Sequence, residues 1–192
     1  MLTFAIGAAF LSFAGLCAAD TSFGTGANWQ ISLNNGGSYA PPDALSSRTL
    51  PDGSTATGIA GGNPFNVTDR YYRFSFNLTE VTASAKTFFV TNTLFGLLVN
   101  GNAVDLSAVM NSGPNTNNFS PSTGLSIPGF FFQLGSNTIL FETHSLTGGN
   151  AGDPFLAARV DIRAVPEPST WAMMLGGGGL FLAVQRLRRR GG

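Results

Sequence analysis

His144 is the only histidine of the chain and Cys17 its only cysteine. A protein zinc site takes three or four ligands, mostly from these two residue types, so multi-histidine and cysteine-rich sites are excluded. A Ser-His-Asp arrangement is compositionally open, but no G-x-S-x-G stretch marks a nucleophile. His144 follows an apolar run and borders the loop SLTGGNAGDP, a setting that suits a surface side chain or one that touches a sugar. The carboxylates are dispersed. Glu142 is the one acid inside an apolar stretch, and Asp161 has Arg159 and Arg163 two positions away as ion-pair partners. A glycosidase needs two convergent carboxylates, and spacing alone brings none of these together. Asp153 could ligate a calcium ion through loop oxygens, although no EF-hand spacing accompanies it. Trp29, Tyr39 and Tyr71 could stack on sugar faces, since aromatic rings combine a large apolar area with a polar handle. The more ordinary role for the same rings is to cap the core. Gly176–Gly179 is no phosphate loop, because no Gly-Lys-Ser/Thr follows it.

These candidates must be positioned by short strands. Charged residues are only 10% of the 192-residue chain, and Gly, Asn, Ser and Thr are abundant. Such residues are poor in helix interiors and common in turns. Tyr72, Phe74, Phe76 and Leu78 alternate with Tyr71, Arg73, Ser75 and Asn77, the period of a half-buried strand. Further strands are expected at Trp29–Leu33, Lys86–Thr93, Leu94–Val99, Phe130–Leu134, Asn137–Thr143 and Phe155–Val165. Asn100-Gly101 is a strong hairpin signal. Residues 111–127 read as a polar loop. Regularly spaced strands with Gly/Asn turns predict an all-β sandwich over residues 20–164. Residues 20–165 hold six basic against nine acidic side chains, which gives nucleic acid no footprint.

The two ends follow a different logic. Leu2–Ala19 is apolar and ends in Cys17-Ala18-Ala19, so residues 1–19 read as a secretory signal peptide cleaved after Ala19. No Lys or Arg precedes the run, and a retained N-terminal anchor is the alternative. At the other end, Trp171–Val184 would make about 21 Å of helix against a hydrocarbon core of about 30 Å. The four glycines inside it each weaken a helix by about 1 kcal/mol relative to Ala. Arg186, Arg188, Arg189 and Arg190 follow, and such charge stays on the cytoplasmic side. Pro166 and Pro168 keep the chain around Glu167 extended, where a protease can reach it.

VPEPS (Val165, Pro166, Glu167, Pro168, Ser169), then WAMMLGGGGLFLAV, then RLRRR resembles the PEP-CTERM sorting signal of Gram-negative bacteria. That resemblance implies recognition of Pro166, Glu167 and Pro168 by the membrane protease exosortase during export. It also implies a transient membrane-anchored precursor and a final place at the cell surface or in the extracellular matrix. The stretches YYRFSFNLTEV, LFGLLVNGNAV and LGSNTILFETHSLTGGNAGDPFLAARVDI are similar to galactose-binding-like jelly rolls. This second likeness implies a jelly-roll sandwich and carbohydrate binding by loops at one end.

The expectation is therefore a signal peptide (1–19), a β-sandwich (20–164) and a sorting signal with a short hydrophobic helix (165–192). The protein would be structural or exopolysaccharide-associated, non-enzymatic and free of cofactors. A lectin-like module is the alternative, and a secreted hydrolase a third reading. Trp29, Tyr39 and His144 are the candidate carbohydrate contacts, and exosortase, the membrane and exopolysaccharide the expected partners.

Overall fold

Alternation of apolar and polar side chains decides which residues turn inward. A computed structural model describes residues 20–33, 36–61, 69–91, 93–109, 118–144 and 155–165. They belong to one compact unit, Ala19–Val165. In chain order the strands are β1 (Thr21–Gly24), β2 (Trp29–Ser32), β3 (Asp43–Thr49), β4 (Thr55–Ala60), β5 (Asp69–Leu78) and β6 (Thr82–Thr91). They continue with β7 (Thr93–Val99), β8 (Asn102–Ala103), β9 (Asn118–Phe119), β10 (Leu125–Pro128), β11 (Gly135–His144) and β12 (Phe155–Ala164). One 3-10 turn, Gly129–Phe131, precedes β11. The described residues contain no α-helix, and the expected C-terminal helix lies outside them.

Among the described residues the strands form two antiparallel sheets. The first runs β10-β6-β12-β4-β3, with β1 added to β12 and β9 to β6. The second runs β2-β5-β11-β7-β8. Consecutive strands repeatedly change sheet, as at β4 to β5, β5 to β6 and β6 to β7. The sheets pack as a sandwich. Phe89 of β6 meets Phe141 of β11 edge-on at 5.5 Å, and Phe23 of β1 meets Phe74 of β5 at 5.2 Å. Tyr72, Phe89, Ile139, Phe141 and Leu156 are fully buried in one shared cluster. Each such side chain stabilises the fold by about 1.5–3 kcal/mol through apolar burial.

The hairpin at Asn100-Gly101 forms as expected, with φ of 52° and 80°, the left-handed backbone that Asn and Gly tolerate best. Two expectations need correction. Phe130–Leu134 is not a strand. Pro128 ends β10, the Phe132 amide donates to the Gly129 carbonyl, and Phe130 turns outward. Gly129 permits this because a Cβ there would lie 2.4 Å from the Ala83 carbonyl oxygen. The stretch 111–127 is not all loop, since its later part supplies β9 and β10. Asn118 is 1% exposed and its Oδ1 accepts from the Leu94 amide at 2.5 Å, so a residue of the expected polar loop is a core fixture. Phe119 follows it half-buried against a second, smaller apolar cluster.

Candidate functional site

The outer face of the five-stranded sheet gathers most of the chain's recognisable chemistry. In β5 the even-numbered residues face the core, which leaves Asp69, Tyr71, Arg73 and Ser75 on the other side. The antiparallel register with β11 then sets Glu142 opposite Tyr71 and His144 opposite Asp69. On the far side β7 sets Gly96 opposite Glu142, and β2 sets Gln30 opposite Arg73.

The side chains connect across these strands. His144 Nδ1 lies 2.7 Å from Asp69 Oδ1, both groups being about half exposed. Tyr71 hydrogen-bonds Asp69 as well, and burial, then the Asp69 charge, raises its pKa. Tyr71 packs edge-on against Phe95 at 6.4 Å. Glu142 leans over Gly96, where any Cβ would lie 2.1 Å from Glu142 Oε2, so the bare backbone of β7 makes room for the carboxylate. Burial raises the Glu142 pKa, and the neighbouring Asp69 charge raises it further. Toward β2, the Arg73 guanidinium stacks 3.6 Å from the Tyr39 ring centroid. Arg73 also donates from Nη2 and Nε to Gln30 Oε1, at 2.6 and 3.2 Å. Behind this face Arg70 is 1% exposed, and its Nε donates to the Gly61 carbonyl. Burial lowers its pKa.

Chemically, this is a platform of hydroxyl-binding groups. Two carboxylates and an imidazole can accept from sugar hydroxyls, a guanidinium can donate to them, and Tyr39 and Phe95 offer apolar ring surface. Among the described residues no group of three or more His, Cys, Asp or Glu side chains could hold a metal ion.

Of the residues expected from sequence to contact sugar, Tyr39 and His144 reach this face from opposite directions. Trp29 does not, which corrects that expectation. It is 1% exposed, its ring stacks on Phe74 at 5.2 Å, and Nε1 donates to the Gly24 carbonyl. Its place on the inward side of β2, with Ile31, put it in the core. Asp161 pairs with Arg159 at 2.8 Å on the other sheet, and Arg159 also reaches Asp52 and Ser54. Asp69, Tyr71, Arg73 and Glu142 were not singled out together by their spacing; only the β5–β11 register joins them. Asp153, the Ala19 cleavage position, the motif Pro166–Ser169 and the arginines at 186, 188, 189 and 190 lie outside the described residues. Val165 is described; its amide donates to the Val81 carbonyl at 2.7 Å as β12 ends. No helix among the described residues is long and apolar enough to cross a membrane.

Comparison with curated proteins and with solved structures gave no match. A family model for the PEP-CTERM protein-sorting motif matches residues 164–190. Ala164 is the last residue of β12, so the motif begins where the sandwich stops. The chain thus carries, from the last residue of β12 onward, the motif of a secreted Gram-negative protein that is membrane-anchored as a precursor and sorted through exosortase.

Proposed function

We propose that this is a non-catalytic protein of the cell surface or extracellular matrix. Its sandwich, of the galactose-binding-like jelly-roll kind, associates with exopolysaccharide once the sorting signal has been processed. The frequent changes of sheet along the chain support a jelly-roll reading. The observation that carries the binding function is the convergence of Tyr39–Arg73, Tyr71, Asp69, Glu142 and His144 on one outer sheet face. Saccharide recognition combines ring stacking with paired hydroxyl hydrogen bonds, and this face offers both.

The test is titration of the full chain with exopolysaccharide from the producing host, alongside a glycan array. Tyr39→Ala removes the half-buried ring on which Arg73 stacks, a ring that is not part of the buried core. The expected result is saturable binding by the parent, weakened at least about tenfold in the variant, which corresponds to roughly 1.4 kcal/mol. Absence of glycan binding, or unchanged affinity in the variant, contradicts the proposal. The hydrolase reading has one foothold, the proximity of two carboxylates and an imidazole on this face. Polysaccharide turnover that disappears in Glu142→Gln would favour it over simple binding.

A further inference from the structure

Exposed apolar side chains are unevenly placed on the sandwich. Six large ones stand out among the described residues, and four of them gather at one pole: Val81, Phe130, Leu134 and Val165. Phe130 is 83% exposed and Leu134 60%. Scattered surface apolar residues need no explanation, but a cluster does. The strand ends fix its location. β5 ends at Leu78, opposite Gly135, where β11 begins, and β12 ends at Ala164, opposite Thr82, where β6 begins. Gly129 sits against the Thr82 and Ala83 carbonyls, and the Asn100 side chain donates to the Phe131 carbonyl. Val81, the 129–134 segment and Val165 therefore share one end of the body.

This is also the end where the chain enters and leaves. Thr21 pairs with Ile162, so residue 20 arrives beside the strand that Val165 leaves. The apolar run 2–19 precedes that arrival. After the exit only five residues, 166–170, separate Val165 from Trp171, the first residue of the tail's apolar segment. Even fully extended, the six residue steps from Val165 to Trp171 span no more than about 22 Å. The tail belongs to a membrane-anchored precursor, so this pole is held within that distance of the bilayer. Its charges are few. Asp20 and Arg163 face each other at 3.9 Å, and Glu80 stands beside Val81. With no cationic cluster among these groups, the surface suits the apolar boundary beneath the headgroups better than a polyanion.

We propose that in the precursor this pole rests on the phospholipid bilayer, with Phe130 and Leu134 entering the headgroup–acyl boundary. Docking would hold the body in one orientation while the segment after Val165 is presented for processing. The proposal rests on the sorting motif and is independent of any saccharide binding.

The test uses the full chain inserted into phosphatidylethanolamine–phosphatidylglycerol vesicles that contain no other protein. A photoreactive group on the acyl chains labels whatever enters the lipid, and mass spectrometry maps the sites. The expected result is labelling at residues 129–134 and at Val81 in addition to the tail, with none at Leu33 or Phe95, which are exposed elsewhere. In the variant Phe130→Ser with Leu134→Ser, labelling of the pole is lost while that of the tail persists. Labelling confined to the tail overturns the proposal, as does labelling of Leu33 and Phe95 equal to that at the pole. The unmodified chain decides the matter by itself, whatever the variant does to folding.

Discussion

At Glu142 the fold holds a carboxylate where burial disfavours its charge. Its sequence setting, an acid inside an apolar stretch, marks it as unusual. Only the structure shows the carboxylate lying over Gly96 with Asp69 nearby. Burial, then the Asp69 charge, raises its pKa. A carboxyl raised in this way is easier to keep protonated in the folded chain than in the unfolded one. Its contribution to stability is therefore present below the ordinary carboxylate range, about pH 4, and is lost as pH rises through the raised value. Glu142→Gln should gain stability relative to the parent between about pH 4 and neutrality. Denaturant titrations of both chains at several pH values read the difference, and a difference independent of pH contradicts this account. Trp29 teaches the complementary lesson. Aromatic character suggested a sugar contact, while strand parity with Ile31 pointed to the core, and parity decided its place.

At the scale of elements, alternation and turn chemistry located β2, β5, β7, β11 and β12 within a few residues, together with the Asn100-Gly101 turn. β3 and β4 were not legible, because DALSSRT and TATGIA carry little apolar alternation. β3 is largely exposed and takes its form from pairing with β4. The face that gathers Asp69, Tyr71, Glu142 and His144 was illegible for a different reason. One sequence fixes which side of a strand a residue occupies, but not the register between strands some seventy positions apart. The segment before β11 depends on one buried side chain, Asn137. Its Oδ1 accepts from the Gln133 amide and Asn100 Nδ2, and its Nδ2 donates to the Gln133 and Gly135 carbonyls. Asn137→Ala leaves those groups without their partner and should destabilise the fold by about 2–3 kcal/mol in equilibrium unfolding. A loss below about 0.5 kcal/mol, the range of an ordinary surface substitution, would contradict this role.

For the whole molecule, the two proposed contacts, with saccharide and with the bilayer, fall at different ends of the sandwich. β11 runs ten residues from Gly135 at the apolar pole to His144 at the other, a rise of about 30 Å. Chain entry, chain exit and the exposed Phe130 lie at the first pole. The Asp69–His144 pair lies toward the second, away from the proposed membrane surface. A body whose chain leaves at one end and whose proposed saccharide contacts lie toward the other would suit the proposed display on a cell or in a matrix. The sorting motif was legible from the tail's three ordered parts, a Pro-Glu-Pro core, an apolar run and an arginine cluster, because a sorting signal is read as linear sequence. The body's activity was less legible, since it depends on side chains assembled by folding.

The sorting motif at residues 164–190 ties the chain to export and processing, and Glu167 is the acid at the centre of its Pro-Glu-Pro core. The most direct measurement replaces Glu167 with Ala in an exosortase-bearing Gram-negative host and follows the protein by fractionation and by mass spectrometry of its C-terminus. Glu167→Ala should accumulate as an unprocessed, membrane-bound precursor, while the parent loses its tail and leaves the inner membrane. Normal tail removal and normal surface delivery of Glu167→Ala would contradict it.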